Sequence, residues 1–587
     1  MNSEDFPTDI DQPVVRDYSS AVAATTEAKK QTRRHVLKAL AGLGIGSAVF
    51  QRALAAQAEK SSDVTADMIQ QAEWIAGLEL SEADRKTTAG AVNRELDNFR
   101  QLRAVALENS DVPAVLFHPA PWLAPNRDNE RGAVRPSEQA APKRPQSDDE
   151  LAFLPVTELA ALIRTRQISS VELTKLYLKR LQQYDPALLC VVTLTEELAL
   201  KQAERADREI AAGRYRGPLH GIPWGAKDLI SVRGYKTTWG APHYQDQSFD
   251  VTATVADRLE NAGAVLVAKL SLGALAMGDR WFGGMTRNPW DTKQGSSGSS
   301  AGSASATAAG LVGFSLGSET LGSIVSPCRR CGTTGLRPTF GRVSRNGCMS
   351  LSWSMDKIGP ITRSVEDCAL VFGALHGFDG LDPTAVDRPF HWPSQSNVRT
   401  LKVGYFETDK PVAERPELQV LTQIGVKLIP AKLPDKYPVW ALTTILDTEA
   451  AAVFDEITRK GITEGLNSWP KTFRLGQFVP AVEYLRANRI RRLLMDEMKA
   501  LMADIDLYVE GNDSGVTNLT GHPTVVLPNG FRKRDDVETP TSITFTGRLY
   551  GESELLAVAH AYQQATGHHL KHPPMETLKP IGDNENS

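Results

Sequence analysis

Ser323 follows Thr320-Leu321-Gly322 straight after an apolar run, Leu311 to Leu316. A hydroxyl placed there can act as a nucleophile if it is exposed, if a base takes its proton, and if donors await the charge it creates on a carbonyl oxygen. The successive backbone N–H groups of Thr320, Leu321, Gly322 and Ser323 are candidate donors, because amides turned to one side form an anion-binding concavity. Removing one such donor from an acyl-transfer site costs about 2.7–4 kcal/mol. Lys227 is the candidate base. It lies in Gly221-Ile222-Pro223-Trp224-Gly225-Ala226-Lys227-Asp228-Leu229, where loss of water disfavours the ammonium and lowers its pKa. His220 and His522 fall in loops but have no carboxylate close in sequence to orient an imidazole, which sets them behind the lysine.

Residues 294–310 read Gln-Gly-Ser-Ser-Gly-Ser-Ser-Ala-Gly-Ser-Ala-Ser-Ala-Thr-Ala-Ala-Gly. That composition alone is a flexible linker's. Its mid-domain position, the helix-favouring run Ala301 to Gly310 and the apolar segment after it point instead to a loop entering a helix. Clustered glycines there let the backbone approach a substrate closely.

The elements that must hold these residues follow from periodicity. Ser169-x-x-Glu172 is a capping box opening an amphipathic helix to about Gln183. Val191 to Leu194 is a short strand, Glu196 to Ala212 and Ala253 to Ala262 are helices, and Val265 to Ala268 is a buried strand. This alternation predicts an α/β fold: a mixed sheet covered by helices on both faces, in a single large catalytic domain over residues 150–575. A helical extension is expected over 59–108, with helices at Ala66–Leu78 and Ser81–Ala106, then a Pro-rich surface linker over 109–149 and a C-terminal tail over 576–587.

Residues 1–58 read as a twin-arginine (Tat) signal: Arg33-Arg34, an apolar run from Ala39 to Phe50, and the small-residue site Ala53-Leu54-Ala55-Ala56. The run, about 12 residues, is short of the roughly 20 needed to span a bilayer. Export by the Tat machinery and a periplasmic location are expected, without stable membrane insertion. Lys+Arg 66 against Asp+Glu 70 gives a net charge of −4 with no basic stripe, so nothing supports a nucleic-acid partner. Cys328-x-x-Cys331 lacks the second pair a zinc site needs, and a disulfide there stays open. His568-His569-x-x-His572 has no carboxylate or cysteine nearby, so no metal or other cofactor is expected.

Several ordered blocks resemble the amidase-signature family: Gly298-Ser-Ser-Ala-Gly-Ser303, Gly317-Ser-Glu-Thr-Leu-Gly-Ser-Ile324 and Cys331-Gly-Thr-Thr-Gly-Leu-Arg-Pro338. Shorter matches are Gly217-Pro-Leu-His-Gly-Ile-Pro223, Asn288-Pro-Trp-Asp291, Ser354-Met-Asp-Lys-Ile-Gly-Pro360 and Asn518-Leu-Thr-Gly-His-Pro523. Lys227 lies 72 residues before Ser299, and Ser299 lies 24 before Ser323, as in the family's Lys–cisSer–Ser triad. The resemblance implies the family's fold over roughly 150–575 and hydrolysis of a linear amide. It implies Ser323 as nucleophile, Ser299 passing protons to neutral Lys227, a cis peptide at Gly298–Ser299, and an oxyanion held by the N–H groups of Thr320 to Ser323. Glu319, Leu321 and Val325 depart from the commonest family loop; Glu319 and Ile324-Val325-Ser326-Pro327 resemble the peptide-amidase-like branch. Val325 stands where an arginine is usual, which removes one way of binding a substrate carboxylate and favours neutral amides. The first 150 residues have no counterpart in the basic family pattern.

Other readings remain open. The glutaminase component of a tRNA-dependent amidotransferase, its A chain, shares the triad; a non-catalytic binding protein could keep the same scaffold. Gly298-x-Ser300-x-Gly302 fits a nucleophile elbow, though residues 288–293 do not read as the strand that an elbow needs before it. Ser354-x-x-Lys357 fits the first box of penicillin-recognising enzymes, but no Lys-Thr-Gly or Ser-Asp-Asn follows.

Overall fold

The computed structural model describes residues 63–76, 78–103, 108–111, 115–123, 132–137, 142–511, 513–534 and 536–578. The expected Tat segment, 1–58, lies outside them. The chain divides into two compact units, residues 1–106 and 107–587. In the first, helices Ala66–Ala76 and Glu82–Arg103 are joined by an Arg85–Glu73 ion pair at 2.6 Å. Ser81 Oγ accepts from Asp84 N–H at 3.2 Å and opens the second helix.

The larger unit is built on one eleven-stranded sheet. Its strands are β1 (Val191–Leu194), β2 (Pro223–Lys227), β3 (Val265–Leu270), β4 (Phe314–Glu319), β5 (Thr334–Arg337), β6 (Lys357–Thr362), β7 (Lys402–Phe406), β8 (Lys427–Ala431), β9 (Leu507–Val509), β10 (Thr524–Arg534) and β11 (Val537–Gly547). The order across the sheet is β1-β3-β2-β4-β6-β5-β10-β11-β9-β7-β8. β3, β2 and β4 run parallel, as do β9, β7 and β8, and the other pairs are antiparallel. Every residue of β2, β3 and β6 is buried, which requires cover on both faces. The mixed, doubly covered α/β sheet is the architecture expected.

Several element boundaries shift from the sequence reading by one to three residues, and two further shifts have a clear physical cause. Ser169 Oγ accepts from Glu172 N–H at 3.0 Å as expected, but the helix runs on to Leu188, through Pro186 in its last turn. Asp185 Oδ1 then accepts from Cys190 and Val191 N–H at 2.7 and 2.8 Å and steers the chain into β1. The apolar run from Leu311 is not all strand. Gly310 has φ +63, Leu311 N–H closes on Ala306 O at 2.9 Å, and Leu311 and Val312 bury as a turn before β4 begins at Phe314.

The Pro-rich stretch, read as a surface linker, is partly built into the larger unit. Asn109 exchanges hydrogen bonds with the Ser350 backbone at 2.6 and 3.0 Å, Val134 bridges Trp392, and Ala120 is fully buried. Main-chain groups in such a segment can leave water only when paired in this way.

The parallel arrangement of β3, β2 and β4 puts the carboxyl ends of all three at one edge of the sheet, where open α/β sheets place their ligands. Lys227 ends β2 and Glu319 ends β4.

Candidate active site

Lys227 reaches its place because β2 is wedged between β3 and β4, with Ala226 opposite Lys269 on one side and Leu316 on the other. The side chain is 0% exposed. Burial lowers its pKa to about 7, against the pull of the Asp356 and Glu319 carboxylates, which favour the charged form. Nζ donates to Ser299 Oγ at 2.8 Å, Ser318 Oγ at 2.9 Å and Ser300 Oγ at 3.0 Å. A neutral amine has two hydrogens and one lone pair. Three hydroxyls within 3.0 Å, each able to donate or accept, therefore satisfy it in either protonation state.

Ser299 stands at the mouth of the Ala301–Ala308 helix, and the Gly298–Ser299 peptide is cis. A Cβ on Gly298 would lie 1.8 Å from the Gly278 carbonyl oxygen, so only glycine fits beneath the serine. Ser300 N–H donates to the Ser323 carbonyl at 3.1 Å, tying the two serine segments together. Ser300 Oγ is spent on Lys227 and on the Ser318 backbone.

The turn carrying Ser323 is closed from inside by Glu319. Its Oε2 accepts from Ile324 and Val325 N–H at 2.8 and 2.9 Å, and its Oε1 from Arg337 Nη1 at 2.7 Å and Asn518 Nδ2 at 2.9 Å. Burial alone would raise the pKa of this carboxyl. The Arg337 charge and the hydrogen bonds outweigh it and hold the group down to about 2, so it stays ionised. A second carboxylate, Asp356, accepts from Thr320 Oγ1 at 2.6 Å and from Leu351 and Ser352 N–H at 2.8 and 2.9 Å. Gly322 takes φ +96, which side chains rarely adopt. Among the described residues, the N–H groups of Leu321, Gly322 and Ser323 have no intramolecular acceptor. Ser323 itself is half-buried. The half-buried Ser323 hydroxyl, the three unspent amides and the buried amine bonded to Ser299 thus lie on segments tied together by the Ser300–Ser323 hydrogen bond.

The competing residues sit elsewhere. His220 does have a carboxylate partner, contrary to the sequence reading, since Glu209 lies 3.3 Å from Nε2. It comes just before β2, so a strand length of about 13 Å separates it from Lys227. His522 is fully buried beside Thr520, and burial lowers its pKa to about 3. A strand, Asp291–Gly295, does precede the elbow-like Ser300 despite the contrary expectation, but the hydroxyl is buried and bonded to Lys227. Ser354 Oγ is spent on Glu449 at 2.8 Å and Lys357 Nζ on the Met355 carbonyl. Cys328 and Cys331 are buried and free, so no disulfide joins them. Ser318, Arg337 and Asp356 lie in the motifs quoted from the sequence, but nothing there assigned them a part in the site. The same motifs hold Glu319 and Asn518 without showing that they meet.

Comparison with known proteins agrees with this frame. The profile of the family described as Amidase matches residues 172–510. The chain is similar to the A component of the glutamyl-tRNA(Gln) amidotransferase of Methylococcus capsulatus, 32% identical over 480 residues, covering 71% of this chain and 98% of that protein. Its counterpart in an Azoarcus species is 34% identical over 485 residues, covering 71% and 99%. Among solved structures, the peptide amidase of Stenotrophomonas maltophilia superposes with a TM-score of 0.64 at 29% identity, covering 72% of this chain and 99% of that one. A bacterial aryl acylamidase of the amidase-signature enzymes shares the fold, with a TM-score of 0.63 at 22% identity, covering 73% and 99%. The chain belongs to the amidase-signature family and is an enzyme of the amidase class, acting on the C–N bond of amides.

Proposed function

We propose that the protein hydrolyses a linear carboxamide through an acyl-enzyme on Ser323. Ser323 Oγ attacks the carbonyl carbon, its proton passes to Ser299 Oγ, and Ser299 gives its own to neutral Lys227. The carbonyl oxygen, now negative, is held by the N–H groups of the turn from Thr320 to Ser323. Collapse of the adduct breaks the C–N bond. Ser299 protonates the departing amine and Lys227 resupplies Ser299. Water then attacks the ester by the same relay, releasing the acid and restoring Ser323.

The observation that carries this reading is a fully buried amine, its pKa lowered to about 7, at 2.8 Å from the Ser299 hydroxyl. Ser323→Ala and Lys227→Ala are expected to abolish release of ammonia from primary amides, and Ser299→Ala to cripple it. Appreciable turnover by either of the first two overturns the assignment. Val325 lies buried against Ile324, Cys328, Ile361 and Val526, and no arginine stands at that position. The favoured substrate is therefore a neutral amide, and C-terminally amidated peptides are the first panel to try. Export through the Tat system to the periplasm belongs to the same proposal, and fractionation of cells expressing wild-type and Arg33→Lys/Arg34→Lys chains tests it.

The names of the curated relatives favour a second reading, a glutaminase component of an amidation complex. Ammonia release from free glutamine, together with co-purifying partner proteins, would select it; hydrolysis of peptide amides by the lone chain selects the first.

A further inference from the structure

A cavity of about 300 Å³, within the range of small-molecule pockets, lies far from the candidate active site. Arg363 on its wall follows β6, whose Ile361 pairs with Ser315 near the start of β4, while Lys357 pairs with Glu319 at its end. The cavity and the Ser323 turn are thus at opposite ends of the same strands, roughly 15 Å apart.

Its walls carry the Phe153 and Trp290 rings, and two carboxylates on them, Glu150 and Glu158, have no ion-pair partner among the described residues. The Phe153 ring stacks on His572 with centroids 4.0 Å apart, and the Trp290 indole is fixed by donation to the Cys331 carbonyl at 2.8 Å. The cationic groups are held in place by neighbours: Arg363 Nη2 donates to the Leu154 carbonyl at 2.7 Å and Nη1 to the Val312 carbonyl at 2.8 Å, and Lys571 pairs with Glu538. Burial lowers the His569 pKa to about 4, so that ring is neutral. Glu158 is different. Its carboxylate is half-buried, has no ion-pair partner among the described residues, and burial raises its pKa. The Ala301–Ala308 and Val325–Cys331 helices, which begin beside Ser299 and Ser323, both end on this wall, and helix C-termini carry partial negative charge. The buried His569 Nδ1 on the wall has no hydrogen-bond partner among the described residues.

We propose that this cavity binds a small organic cation, an ammonium group on an apolar or aromatic body, with Glu158 as its counter-charge. Aromatic faces and an unpaired carboxylate are what such ligands meet in built sites. The proposal is independent of the chemistry assigned to Ser323.

The test is calorimetric titration of the full chain with benzyltrimethylammonium, with benzoate as the anionic control. One-to-one binding is expected, unchanged in Ser323→Ala. It should weaken about tenfold or more in Glu158→Gln, which keeps the side chain's shape and removes its charge. Ala308→Leu, which fills the cavity from the helix end, should weaken it as well, with the unfolding midpoint of each variant checking the fold. No binding to the wild type, equal affinity in folded Glu158→Gln, or equal binding of benzoate overturns the proposal.

Discussion

Replacing Glu319 by glutamine tests whether one buried carboxylate organises the serine turn. The carboxylate takes four donors: the N–H groups of Ile324 and Val325, Arg337 and Asn518. An amide of the same shape keeps one oxygen and turns an NH₂ toward donors, so about two charge-assisted hydrogen bonds are lost, each worth about 1.5–3 kcal/mol. Arg337, 1% exposed, is left with uncompensated charge, and breaking a buried pair in this way costs about 3–5 kcal/mol. The two views overlap, and together they put the loss of stability at about 3–6 kcal/mol. Linkage gives an independent figure. The displacement of the Glu319 pKa from 4.5 to about 2 is worth about 3 kcal/mol. Because the folded value is depressed, this contribution is complete above about pH 4.5 and is lost as pH falls towards 2. Urea unfolding of wild type and Glu319→Gln from about pH 7 down to about pH 3 should therefore show a gap that narrows on acidification. Turnover at about pH 7 should drop about 100- to 1000-fold, the cost of displacing one oxyanion donor. A variant with wild-type midpoint and turnover would refute the account of the turn.

The pH profile of kcat/KM should rise through about pH 7 and then level, because the relay needs Lys227 neutral and its ammonium forms below that value. A profile flat from about pH 5 to about pH 9 would exclude Lys227 as the base. Gly298→Ala should destabilise the fold by about 3 kcal/mol and remove activity, since the added carbon would fall 1.8 Å from the Gly278 carbonyl oxygen; thermal unfolding of the variant checks it. Asp356→Asn should keep the fold and move the acid limb of the same profile to lower pH, because it removes a negative charge that favours the Lys227 ammonium; an unmoved limb counts against that coupling.

Much of the fold's catalytic edge was legible because its signals are local. The Ser169–Glu172 box, the buried run at β3 and the Gly/Ser-to-Ala transition into the Ala301–Ala308 helix each span a few residues. The meeting of Lys227 with Ser299 was implied by the resemblance to the amidase-signature family, and the helix extending past Pro186 was not legible, since Asp185 acts through contacts beyond the helix. The partners of the serine turn were out of reach for a plainer reason. Asp356 lies 36 residues from Thr320 and Asn518 lies 199 from Glu319, and nothing in a linear pattern says which of 70 acidic residues will fold back. The order of β7, β8 and β9 was equally hidden, because pairing such as that of β7 with β9 joins segments about 100 residues apart.

β2 and β4 are neighbours in the sheet yet separated by roughly 90 residues of chain, and each brings one member of the candidate relay to their common rim. Under the proposed mechanism neither segment is reactive alone: before the two strands zip together the lysine is a hydrated cation and the serine an ordinary alcohol. Reactivity is thus a property of completed long-range assembly. On that mechanism a half-made chain stays harmless to amides around it, and recovered turnover after dilution from denaturant would report when this strand pair has formed.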